Sequence, residues 1–158
     1  MTENRQNIQA SILDRLLDYE PGVRQEPVQR RVLGFEQGKA AVIRDLENLL
    51  NTKSTILTIP PAYKEVSRSI LVYGVRDYTS QNPKSISVKK QLRQNLEETI
   101  ARFEPRLRNV TVHVEGSAEN ERSVKFRITG ILVLDPLIAP VTFDTLFDIN
   151  RGEYTIQG

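Results

Sequence analysis

Residues 88–115 read VKKQLRQNLEETIARFEPRLRNVTVHVE, and the hydrophobic period changes inside that stretch. Val88, Leu92, Leu96, Ile100 and Phe103 are spaced by four, four, four and three residues, which puts them on one face of a helix. Ser85 or Ser87 can cap its start. Pro105 has no N–H and disfavours helical geometry in the residue before it, so the helix must end at Glu104. From Arg108 the period is two. Val110, Val112 and Val114 alternate with Thr111, His113 and Glu115, as on a half-buried strand. The corner Phe103-Glu104-Pro105-Arg106-Leu107 is expected to be exposed, with Pro105 fixing the direction of Glu104 and Arg106. Taken without other information, it is equally an ordinary helix stop with solvated charges.

Towards the C-terminus the alternation persists. After a polar turn at 116–121, Val124, Phe126 and Ile128 alternate with Lys125, Arg127 and Thr129, an antiparallel partner for the first strand. That strand runs into 131–134, where both faces are apolar and burial is expected to be greatest. Val141, Phe143, Thr145 and Phe147 continue the pattern, Arg151-Gly152 turns the chain, and 153–156 forms a short last strand.

Towards the N-terminus the signals are helical. Residues 66–75 hold an apolar run read as a short helix stopped near Gly74, between the Pro60-Pro61 loop and the Asn82-Pro83 break. Residues 39–51 form the clearest helix: Ala41, Val42, Leu46, Leu49 and Leu50 make its apolar stripe, with Arg44, Asp45, Glu47 and Asn48 opposite. Ile8, Ile12, Leu13, Leu16 and Leu17 suggest a short amphipathic helix over 7–18, followed by a Pro/Gly-containing extended connector up to Gly38. Helices precede a meander of strands. The fold class is therefore α+β, with N-terminal helices packed on one face of a C-terminal antiparallel sheet. Residues 1–38 read as helix plus tether, and 39–158 as one domain.

Composition narrows the chemistry. The 158 residues include no cysteine and one histidine, so disulfides, thiolate nucleophiles and multi-histidine metal sites are excluded, and no cofactor is expected. No apolar run approaches the ~20 residues of a spanning helix, and the polar N-terminus does not read as a secretory signal. The chain is expected to be cytoplasmic, without direct membrane insertion. Net charge is +2, but residues 64–108 carry ten basic and five acidic side chains, while 109–158 carry four and seven.

The individual motifs are weak. Gly34 and Gly38 precede a helix but lack the phosphate-loop pattern. His113 sits between polar neighbours and reads as a solvent-facing strand residue. Glu97 and Glu98 diverge by about 100° on their helix and cannot converge on one substrate. Glu104, flanked by Arg102 and Arg106, is a poor general acid, because a nearby guanidinium stabilises the carboxylate. It suits a salt-bridged recognition element better. The basic segment, including Lys89, Lys90 and Arg93, lacks interleaved aromatics for base stacking, so nucleic acid is not expected as a partner.

Five stretches, in order along nearly the whole chain, resemble the TssE family, baseplate wedge subunits of bacterial type VI secretion systems related to lysozyme-like wedge proteins of contractile phage tails. They are SILDRLLD (11–18), VIRDLENLLNT (42–52), SILVYGVRD (69–77), IARFEPRL (100–107) and FDT (143–145). The resemblance implies a lysozyme-like baseplate wedge domain over 39–158 and a structural, non-enzymatic role. It implies that the chain joins other wedge subunits and helps initiate the contractile sheath, with Glu104, Pro105 and Arg106 as an assembly contact. Sheath subunits are then further partners. The N-terminal helix can lay Ile12, Leu13, Leu16 and Leu17 into a partner's groove, and an unpaired edge at 153–157 can accept a partner strand. The competing reading is a peptidoglycan hydrolase.

Overall fold

The computed structural model describes residues 8–9, 11–16, 22, 32–55, 59–60, 62–82, 85–115 and 123–157. Its elements are β1 (Ile8–Gln9), α1 (Ile12–Leu16), β2 (Val32–Leu33), α2 (Phe35–Asn51), α3 (Ile86–Phe103), β3 (Leu107–Val114), β4 (Ser123–Leu134), β5 (Leu137–Asp148) and β6 (Glu153–Gln157). The last four strands form an antiparallel meander in the order β3-β4-β5-β6. Val42, Leu46 and Leu50 of α2 and Leu92, Leu96 and Ile100 of α3 meet the sheet's inward Val112, Phe126, Ile128 and Phe143 in one core. The expected α+β arrangement is the one found.

The details differ in several places. α2 begins at Phe35, four residues before the expected start. The Gln37 side chain accepts the Gly34 N–H at 3.0 Å and stabilises this first turn. Gly38 is no breaker: it is buried in the helix, where a β-carbon would lie 2.6 Å from Leu134 Cδ1, so its bare backbone permits close helix–sheet approach. The run at 66–75 forms two separate 3-10 turns, Val66–Arg68 and Ile70–Val72, instead of one helix.

Along β4, Lys125 and Arg127 are exposed, whereas no position from Thr129 to Leu134 is. Leu132 and Leu134 are buried and Ile131 and Val133 half-buried, so burial is greatest at this end of the strand, as expected. At the N-terminus, β1 and β2 pair with each other, so Ile8 lies in a strand and not in the expected helix, of which α1 covers Ile12–Leu16. Leu17, most of the connector, Pro83 and the turn at 116–121 lie outside the described residues.

Helix side chains bond to both edge strands of the sheet. At β6, Asn51 Oδ1 accepts the Tyr154 N–H at 2.7 Å, Asn51 Nδ2 donates to the Tyr154 carbonyl at 2.9 Å, and Glu47 Oε1 accepts the Ile156 N–H at 2.8 Å. At β3, Glu97 Oε1 accepts the Val112 N–H at 2.9 Å. Among the described residues β6 ends the sheet with no further strand beside it, as expected, but its edge is not free. The outward backbone groups of Tyr154 and the Ile156 N–H are already bonded to α2, and a partner strand could pair there only by displacing the helix side chains.

The loop between α2 and α3 is pinned beneath the sheet's β6 side. Val75 is buried, its N–H donates to the Thr52 carbonyl at 2.8 Å, and its carbonyl accepts from the Ser54 N–H at 3.0 Å. Gly74 makes this approach at φ +105°, and any β-carbon would collide with the Thr52 carbonyl. Strain and overlap fall on backbone that cannot move away. Gly74→Ala is expected to destabilise the fold by about 2–4 kcal/mol, measured by urea unfolding. Stability equal to wild type would contradict this packing.

Candidate functional site

The Glu104-Pro105-Arg106 corner is built by the end of α3. The Glu104 N–H makes the last helical bond, to Ile100 at 2.8 Å, and Pro105 then prevents continuation. The Glu104 carbonyl accepts the Leu107 N–H at 3.1 Å, closing a turn, and the Arg106 carbonyl accepts the Val133 N–H at 2.8 Å, starting the sheet. The corner stands where expected. Its exposure does not.

Glu104 is only 4% exposed, and its carboxylate points inward. Arg106 donates from Nε to Glu104 Oε1 at 2.7 Å and from Nη2 to Glu104 Oε2 at 2.5 Å, a bidentate pair. The Arg106 backbone N–H also reaches Glu104 Oε1, at 3.2 Å. The same Nη2 donates to Asp45 Oδ2 at 2.6 Å, across 61 residues of sequence. Asp45 Oδ1 in turn accepts from Arg44 at 2.8 and 3.0 Å. Asp45, assigned by its period to the solvent face of α2, is thus half-buried in a four-member chain of alternating charge. Sequence periodicity missed it because partners distant in sequence leave no local mark. The resemblance stretch 42–52, which contains Asp45, was the one available signal.

The electrostatics follow from this geometry. Burial by itself lowers the Arg106 pKa, but the hydrogen bonds and charge of Glu104, and then those of Asp45, outweigh it and raise the value. Arg106 is always cationic here. Tyr73 lies beside the cluster, packed edge-on against Phe103 with ring centroids 5.2 Å apart. Its phenol is shifted upward, first by burial and then by the Asp45 and Glu104 charges, so it stays neutral.

This arrangement suits a structural joint. Glu104 has both oxygens bonded to a guanidinium, and Glu97 holds the edge of β3, so neither carboxylate is placed to donate a proton to a substrate. Nε and Nη2 of Arg106 are taken up by Glu104 and Asp45, so they are not offered to a phosphate. His113 is exposed on β3, as expected. Among the described residues no group of three or more metal-ligating side chains converges, and no helix is long and apolar enough to cross a membrane. Of the remaining expected contact residues, Pro105 is exposed at the corner, and Ile12, Leu13 and Leu16 are exposed on α1.

Two helices over a four-stranded meander, with a charged joint where the second helix enters the sheet, define a small α+β assembly module. The family model of baseplate wedge protein gp25 matches residues 36–137, from the first turn of α2 to the start of β5. The chain belongs to that family of baseplate wedge proteins, and it is TssE-like, as its sequence resemblance indicated. A solved chain described as belonging to "The baseplate complex from the type VI secretion system" has a similar fold, with 17% identity and a TM-score of 0.50. The match covers 70% of this chain and 94% of that one. No curated protein matches the sequence.

Removing Arg106 would leave the buried Glu104 carboxylate without its counter-charge. Arg106→Met is expected to cost about 3–5 kcal/mol of stability, and pairing it with Glu104→Leu should recover a large part of that loss. Denaturant unfolding of the single and double variants checks this. A double variant less stable than Arg106→Met would argue against it.

Proposed function

We propose that this chain is a non-enzymatic wedge subunit of a type VI secretion baseplate, joining neighbouring wedge subunits and helping to initiate the contractile sheath. Membership of the wedge family carries the reading, because the family model spans both long helices and the two strands that follow them, β3 and β4. The similarity to a type VI baseplate chain supports that choice of machine. As an assembly part working beside cytoplasmic subunits, the chain needs no cofactor and no catalytic centre.

The contact residues take modified roles. Glu104 acts indirectly by holding Arg106, with no oxygen offered to a partner. Pro105 and the unengaged Nη1 group of Arg106 form the presented part of the corner. Nε and Nη2 are held by Glu104 and Asp45, which leaves the Nη1 protons for a carbonyl or carboxylate on a neighbour. Ile12, Leu13 and Leu16, with Leu17 by its sequence position, supply an apolar stripe for a second contact.

The test is binding to purified co-encoded baseplate and sheath subunits. Wild type should bind at least one baseplate subunit. Ile12→Ser/Leu16→Ser should weaken binding at least about tenfold with unchanged circular dichroism, as expected when central apolar anchors are lost. Equal binding by that variant would remove α1 from the interface. Cell-wall hydrolysis by purified wild type would return the peptidoglycan-hydrolase reading.

A further inference from the structure

The loop joining α2 to α3 carries large apolar side chains that the described residues leave exposed. Ile70 is 87% exposed, Tyr63 60% and Leu71 54%. Single exposed apolar residues are ordinary, but Ile70 and Leu71 are adjacent on one ordered turn.

That segment is held in shape from below. Ser69 Oγ donates to the Val66 carbonyl at 2.8 Å and accepts the Leu71 N–H at 3.4 Å. Thr55 Oγ1 donates to the Leu71 carbonyl at 2.7 Å. The N–H groups of Val72 and Tyr73 close 3-10 turns onto Ser69 and Ile70, both at 3.2 Å. Beyond them, Tyr73 packs on Phe103 and Val75 is buried against α2. The tip is anchored at its base while its two aliphatic side chains face water.

Its charge is one-sided. Lys64, Arg68 and Arg76 are exposed, and none of the three makes an ion pair among the described residues. Glu65 is the one acid between 62 and 76.

We propose that this tip is a docking knob, inserting Ile70 and Leu71 into an apolar groove with an acidic rim on another protein subunit of the baseplate. Lys64 and Arg68 face that rim. The proposal rests on the wedge-subunit reading and adds to it a contact through residues other than those of the Glu104–Arg106 corner and of α1. The prefolded backbone favours a protein groove over a lipid surface. A fixed shape lowers the ordering entropy of entering a matching pocket, whereas a bilayer requires no fixed shape. The exposed cations supply the complementary steering.

The experiment measures binding of the full chain to each purified co-encoded baseplate subunit, at low and at moderate salt. Ile70→Ser/Leu71→Ser is expected to weaken Kd at least about tenfold towards one subunit, with unchanged circular dichroism, because both side chains are exposed in the free chain. Lys64→Glu/Arg68→Glu is expected to slow association and to remove its salt dependence. Wild-type affinity in both variants overturns the knob while leaving the wedge reading intact. Failure of wild type to bind any subunit overturns both. Binding to phosphatidylglycerol-containing vesicles that is lost in Ile70→Ser/Leu71→Ser, with subunit binding unchanged, overturns the protein groove in favour of a membrane.

Discussion

The position of Arg106 is the constraint on which the rest depends. Arg106 joins three segments: its guanidinium binds the middle of α2 through Asp45 and the end of α3 through Glu104, and its backbone carbonyl accepts the Val133 N–H of β4. Apolar burial is non-directional, so the core alone permits small rotations and slips of one helix over the sheet. A bidentate guanidinium–carboxylate pair with a third acceptor is directional. Once Pro105 ends α3, the geometry of Arg106 fixes where α2 crosses. The buried charges are tolerated because each is matched and hydrogen-bonded.

A second set of polar ties acts at the sheet edges. Glu47 and Asn51 bond β6, and Glu97 bonds β3, so each long helix is stitched to the strand it overlies. These bonds explain how a four-stranded sheet avoids edge-to-edge association within a protein whose role is assembly. The surfaces proposed for partners are side-chain surfaces: the proline corner, the stripe on α1, and the apolar tip above Ser69. The outer sheet face adds a solvated pattern in which Arg127 bridges Glu115 and Asp144 at 2.7 and 3.0 Å. That exposed network is a weak contributor to stability.

Much of the fold was legible in the sequence because it rests on local periodicity. The fours of α3, the alternation from Arg108 onward and the stop at Pro105 all placed elements within a few residues. Misreadings occurred where local rules met tertiary packing. Gly38 looked like a boundary and proved to be a close-contact position against Leu134. Asp45 and Glu47 looked solvent-facing because helical period sorts residues only by polarity. Their partners, Arg106 and the Ile156 N–H, lie 61 and 109 residues away, where no short pattern can point. The site was half-legible for the same reason. Glu104-Pro105-Arg106 was singled out as a charged corner, but its inward direction is set by Asp45, which spacing does not reveal.

A double-mutant cycle on Asp45 and Arg106, with Asp45→Ala, Arg106→Ala and the pair compared by urea unfolding, tests this account most directly. The account predicts a coupling energy of about 1–3 kcal/mol, the range for groups sharing one hydrogen-bonded charge network. Additive losses, with coupling near zero, would mean that the two side chains do not act on each other and that the joint between α2 and the corner is not held by Arg106.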